Sequence, residues 1–208
     1  MQLRIPILAM ACLSFGTLPA QADTITFNAV PVAFNDLFTV LETDGFVFTS
    51  PHAHVINAPG VCDTGCADNG TQWIGGDAST IAMARADGNA FALMQLDAAE
   101  AFAGLNQPDA LVLAATLAGG GMLSTTFRFD GINDSVGPVT DFQTFLLDPG
   151  WSPIVSLTFS TTNGGWFGLD NLVVEEAPVI PEPATLVLLG TGLGAMAAAR
   201  RARRVRHA

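Results

Sequence analysis

Eight clusters of turn-forming residues punctuate the middle of this 208-residue chain: Asp44-Gly45, Ala58-Pro59-Gly60, Asp87-Gly88-Asn89, Gly119-Gly120-Gly121, Asp130-Gly131, Gly137-Pro138, Asp148-Pro149-Gly150 and Asn163-Gly164-Gly165. Glycine tolerates the left-handed backbone, proline pre-sets its own φ, and Asn and Asp bond back to their own main chain, so such clusters reverse the chain. The runs between them are short and rich in β-branched and aromatic residues. They predict strands over residues 24–30, 37–42, 46–49, 71–74, 80–84, 91–97, 110–117, 122–129, 142–146, 154–160 and 166–174. Apolar and polar residues alternate in Thr125-Thr126-Phe127-Arg128-Phe129-Asp130 and in Val155-Ser156-Leu157-Thr158-Phe159-Ser160, the pattern of a strand with one buried face. Many short strands separated by turns make an all-β fold, an antiparallel β-sandwich or jelly roll. Residues 96–105 read equally as a helix or as a strand followed by a loop.

The two ends have a different character. Residues 1–22 read as a secretory signal peptide: Arg4 gives a positive start, an apolar run follows, and Ala20-Gln21-Ala22 is a small-x-small cleavage site that leaves Asp23 as the first mature residue. At the other end, Pro181-Glu182-Pro183 precedes an apolar run of 16 residues (184–199) and then Arg200-Arg201-Ala202-Arg203-Arg204-Val205-Arg206. As a helix that run spans roughly 24 Å, a little less than a hydrocarbon core of about 30 Å. The arginines would stay cytoplasmic and stop export there. The prolines keep the chain ahead of the helix extended, since proline lacks an N–H and restrains its neighbour. The expected organisation is a signal peptide over residues 1–22, one β domain over 23–177 and a C-terminal tail over 178–208.

Charge separates along the same boundaries. Every basic residue is Arg, and only Arg85 and Arg128 lie between Asp23 and Ile180, against eighteen of the nineteen carboxylates, which leaves that stretch at −16. So acidic a domain repels phosphate backbones and anionic lipid, which argues against nucleic acid as a partner and for transient membrane contact through the tail alone. It attracts divalent cations.

The tail resembles the PEP-CTERM sorting signal. The residues that carry the resemblance are Val179-Ile180-Pro181-Glu182-Pro183-Ala184-Thr185, the Leu/Gly/Ala-rich run and the Arg cluster, with Pro181, Glu182, Pro183, Arg200, Arg201, Arg203 and Arg204 as motif positions. The resemblance implies recognition and removal of the tail by exosortase, a membrane-anchored precursor, and delivery to the cell surface or the extracellular matrix of a biofilm. The middle resembles the β-sandwich domains often found upstream of such tails. The resemblance rests on Phe91-Ala92-Leu93-Met94-Gln95-Leu96-Asp97, Asp141-Phe142-Gln143-Thr144-Phe145 and the closing run Phe167-Gly168-Leu169-Asp170-Asn171-Leu172-Val173-Val174, which is similar to the last strand of carbohydrate-binding jelly rolls. It implies that Asp170 lends a carboxylate to a structural Ca²⁺, with Glu42 or Asp44 supplying early-strand oxygens and backbone carbonyls completing the set. The alternative role for Asp170 is a local turn cap.

Three further groups stand out. After signal cleavage only Cys62 and Cys66 remain, and export makes a disulfide between them the expectation, over free thiols or a metal. Trp73, Trp151 and Trp166 are the only tryptophans and each is a candidate sugar platform or a core residue. His52 and His54 alternate as on one face of a strand, although Pro51 favours an exposed loop. Catalytic motifs are missing: there is no Gly-x-Ser-x-Gly, no His-Glu-x-x-His and no phosphate-binding glycine loop. The sequence therefore points to a non-enzymatic structural or interaction protein. The alternative is a carbohydrate-binding module for extracellular polysaccharide, and a polysaccharide hydrolase using a carboxylate pair is the remotest reading.

Overall fold

A computed structural model describes residues 22–31, 35–57, 66–76, 79–102, 106–132, 141–177 and 191–196. The described residues form eleven strands: β1 (Ala22–Ile25), β2 (Asn35–Thr43), β3 (Phe46–Asn57), β4 (Gln72–Gly76), β5 (Ile81–Arg85), β6 (Phe91–Glu100), β7 (Ala110–Leu117), β8 (Met122–Arg128), β9 (Gln143–Leu146), β10 (Ile154–Thr161) and β11 (Phe167–Glu176). All pairings are antiparallel. One layer runs β2-β3-β5-β10-β7-β8. The other runs β9-β6-β11, with β4 and β1 sharing the far edge of β11. β4 also pairs with β3 and so joins the layers on one side, and the Ile154–Phe91 pairing joins β10 to β6. The fold is the antiparallel β-sandwich that the strand pattern predicts.

Between the layers lies a core that includes Phe27, Phe48, Phe91, Phe159, Phe167 and Leu169, all fully buried. The open side is closed by aromatic contact between the two edge strands. Phe127 of β8 stacks on Phe145 of β9 at 4.7 Å between ring centres, and Phe129 meets the same ring edge-on at 6.1 Å.

The strand boundaries differ from the sequence expectation in three places. β1 stops at Ile25, and residues 27–30 turn, closed by the Val30 N–H donating to the Phe27 carbonyl at 3.1 Å. Leu96–Glu100 continues β6, which settles the helix-or-strand choice there as strand. β3 runs on through Pro51 to Asn57, so His52 and His54 stand on a strand and not on the exposed loop that Pro51 favoured. The reason is in the register. On one edge β3 changes partner, from β5 as far as Thr49 to β4 from Ala53; on the other, its pairing with β2 shifts between Phe38 and Val40. Pro51 sits in that gap, where no paired partner requires its missing N–H.

The core makes a direct prediction. Phe159→Ala should cost about 3–5 kcal/mol by emptying a fully buried site, whereas Leu146→Ala, 72% exposed on edge strand β9, should stay within about 0.5 kcal/mol. Urea unfolding of the two variants checks this.

Candidate functional site

Over its first four residues, β11 is buried on both faces. Phe167 and Leu169 point into the main core. Gly168 and Asp170 point outward, beneath a second, smaller core of Ile56, Cys66, Ala67, Trp73, Ala99, Ala101 and Phe142. Space is tight here: a Cβ on Gly168 would stand 3.0 Å from the Trp73 ring and 3.1 Å from Phe142. The covering strap, which carries Cys66 and Ala67, is tied down by the Ala67 N–H donating to Ala101 O at 2.8 Å.

Asp170 is fully buried and holds the strap to the sheet. Its Oδ2 accepts from Asn69 Nδ2 at 2.7 Å and lies 2.7 Å from Thr71 Oγ1; its Oδ1 accepts from the Asn171 N–H at 2.8 Å. Asn171 takes a left-handed φ of 47°, and a bulge there restores the inward direction of Leu172 and Val174. The Asn171 amide donates to Asp97 Oδ2 at 2.9 Å, and Thr144 Oγ1 donates to Asp97 Oδ1 at 2.7 Å, so Asp97 links β6 to β9 and β11. Thr71 Oγ1 is also 2.7 Å from Asn69 Oδ1. A hydroxyl has one hydrogen, so two oxygens compete for it while Asp170 is ionised. Burial, with the Asp97 charge adding to it, pushes the Asp170 carboxyl above the usual range against its hydrogen bonds. Glu100, buried with its Oε1 accepting from the Gly131 N–H at 2.9 Å, is raised chiefly by burial and then by the charges of Asp130 and Asp141.

The residues singled out for calcium are not brought together. Glu42 and Asp44 are exposed beside the β2–β3 turn, where Phe46 pairs with Arg85, whereas Asp170 lies toward the other end of β3, by the Ile56–Trp73 pair. Asp170 meets an amide N–H₂, a hydroxyl and a backbone N–H, all donors to a carboxylate. A calcium shell needs six to eight oxygen ligands, and these groups do not fit one. The turn-cap reading describes Asp170 better, extended to a distant strap.

The tryptophans divide. Trp73 is fully buried and Trp151 is 8% exposed, which removes both as sugar platforms: a ring without an open face cannot stack on a ligand. Trp166 is half-buried at the rim of the small core. It meets Phe102 edge-on at 5.0 Å and His54 at 5.6 Å, and His54 lies 5.4 Å from the exposed His52. This aromatic run was not expected from the sequence, although the alternation of His52 and His54 was its signal. Cys66 is buried in the small core; Cys62 lies outside the described residues, as do Ala20 and the tail positions, while Ala22 opens β1.

The last strand ends at Glu176, and the Ala177 N–H donates to Ala90 O at 3.3 Å. The tail starts directly after it. Residues 179–204 match the PEP-CTERM protein-sorting motif. The PEP-CTERM match takes in Pro181, Glu182, Pro183, Arg200, Arg201, Arg203 and Arg204 and none of the β domain. Within the described residues the tail contributes a helical turn at 191–196, and no described helix is long and apolar enough to cross a membrane.

No curated protein matches the chain at a significant level. Among solved structures, the domain is similar to the CBM22-1–GH10 modules of endo-1,4-β-D-xylanase 10B from Clostridium thermocellum complexed with xylohexaose, at 11% identity and a TM-score of 0.36, over 73% of this chain and 29% of that one. It is also similar to the family 11 carbohydrate-binding module of a cellulosomal cellulase from the same organism, at 11% identity and a TM-score of 0.34, over 77% of this chain and 96% of that one. A second structure of a family 11 module, in complex with a β-1,3-1,4-mixed-linked tetrasaccharide, gives 14% identity and a TM-score of 0.30, over 70% and 98%. At these scores the likeness carries nothing about ligands, and the fold stands on its own strand pairing.

Two consequences can be measured. Asp170→Ala should cost about 2–4 kcal/mol, because it leaves part-buried donors without their acceptor and empties a fully buried site. The raised carboxyls of Asp170 and Glu100 bind protons more tightly in the fold than in the unfolded chain. Their contribution is complete below the unfolded value of about 4 and is lost as pH rises through the folded values. The urea midpoint should therefore fall as pH rises above that unfolded value, and Asp170→Asn should flatten that slope.

Proposed function

We propose that the protein is exported by the general secretory route, held in the inner membrane by its tail, and cleaved there by exosortase. It then serves at the cell surface or in the extracellular polymer layer as a non-enzymatic structural or interaction component. The PEP-CTERM match at residues 179–204, starting just past the last strand, is the observation that carries this reading. The acid-rich domain suits it, since excess negative charge favours solubility outside the cell. A Cys62–Cys66 disulfide belongs to the same reading. Closing so short a loop is worth about 2 kcal/mol and would pin the strap that covers Trp73. The test is the mass of the protein recovered outside cells that contain exosortase. The wild type should lack its tail, and a Pro181→Ala/Glu182→Ala variant should stay full-length in the membrane fraction. Recovery of external wild-type protein ending at Ala208 would overturn the reading.

Trp166 supports a second reading, a carbohydrate-binding module for extracellular polysaccharide. Its half-buried ring borders His54, next to the exposed His52, and sugar rings stack on aromatic faces of this kind. In affinity electrophoresis through gels containing the host's own polysaccharide, the wild type should be retarded and Trp166→Ala should migrate freely. Equal retardation of both would remove Trp166 from the site.

A further inference from the structure

The layer β2-β3-β5-β10-β7-β8 turns one face to the core and the other outward. Alternation sets Ile81, Met83, Leu111, Leu113, Leu157 and Phe159 inside. The residues between them stand outside, and the strand registers align them in rows. One row is continuous across all six strands: Val40 lies opposite Thr49, Thr49 opposite Ala82, Ala82 opposite Thr158, Thr158 opposite Ala114 and Ala114 opposite Ser124. It carries no charge. Of the eighteen carboxylates between Asp23 and Ile180, only Asp36 and Glu42 stand in these strands, both on edge strand β2. The four strands between the edges hold a single residue charged at pH 7, Arg85, and it lies over the core ring of Phe46 at 5.8 Å and pairs with Asp87. Arg128 is exposed on the opposite edge, β8. Val40 and Met122, 64% and 76% exposed, put apolar side chains at the two edges.

We propose that this face is where two copies of the chain associate, sheet against sheet. The charge distribution selects that occupant. Two domains at −16 repel each other, and they meet with least repulsion through the face that lacks carboxylates. The charges at its opposite edges, Glu42 and Arg128, are of opposite sign. A two-fold axis lying between the sheets, at right angles to the line from Glu42 to Arg128 and through its midpoint, sets Glu42 of each copy against Arg128 of the other. The area is adequate. Six strands about 4.8 Å apart and roughly 15–20 Å long give about 500 Å² in projection, and more over the pleated surface. Specific interfaces begin near 1,200 Å² in total, about 600 Å² per partner. Covering the row strands no donor at Thr158, whose hydroxyl donates to Ala114 O at 3.1 Å. The inference does not depend on the sorting tail or on glycan binding at Trp166.

Sedimentation equilibrium of the full-length chain in density-matched detergent weighs the protein alone. At micromolar concentration the wild type should associate to twice its 21.6 kDa. Thr49→Glu, an exposed change within the row, should raise the dissociation constant about tenfold or more by placing like charges in the interface. Leu146→Glu adds the same charge to the other layer and should change nothing. Glu42→Arg and Arg128→Glu should each weaken association about fivefold, and the two together should restore it. Both sites are exposed, so this pair of changes tests the interface without threatening the fold, and pairing through the tail helix would not respond to it. A monomeric wild type, or a dimer indifferent to Thr49→Glu and to the charge exchange, would overturn the proposal. So would a monomer whose retardation in polysaccharide gels is lost in Thr49→Glu, which would give the face to a glycan.

Discussion

Everything in this sandwich converges on β11. It is flanked by β6 along one edge and by β4 and β1 along the other, and its first four residues have no open face. A strand in that position must have every outward group matched by something laid over it. Gly168 makes room for the flat of Trp73, and Asp170 demands donors, which Asn69, Thr71 and Asn171 provide. The small outer core is thus a consequence of burying one carboxylate in a central strand. A buried polar group without partners costs a large share of a domain's net stability, so the strap over it cannot be loose packing.

Much of the fold was legible because alternation and turn chemistry are local. The strands over 122–129 and 154–160 were read to within one residue, since apolar and polar residues alternate in Thr125–Asp130 and Val155–Ser160 between turn-forming clusters. One local rule misled. Pro51 was treated as a strand breaker, but it lies where β3 changes partner and the rule has no force. The spacing Phe167, Leu169, Leu172, Val174 breaks period two by one residue, and the Asn171 bulge accounts for it.

The candidate site was less legible because it depends on which strands meet. Asp170 was singled out for calcium, whereas its hydrogen-bond partners lie about a hundred positions earlier in the chain, at Asn69 and Thr71 (|i−j| of 101 and 99), and nothing in the local sequence announces them. Glu42 and Asp44 were grouped with it by analogy, and the register of β3 separates them. The three tryptophans looked equivalent in sequence; topology buries two and leaves Trp166 at a rim beside His54. The tail needed no topology at all, because its signal is a linear order of proline, apolar run and arginine.

The pairing of β1 with β11 has a mechanical consequence. Ala22 lies opposite Glu175 and Ile25 opposite Leu172, so the chain enters and leaves the sandwich at one pole on neighbouring antiparallel strands. Tension between those two points does not shear the β1–β11 ladder as a unit. It opens the ladder like a zipper, one pair at a time, starting from Ala22 and Glu175. A domain pulled by its two ends would therefore shed β1 at low force, with the rest of the sandwich still folded and β11 still backed by β6 and β4.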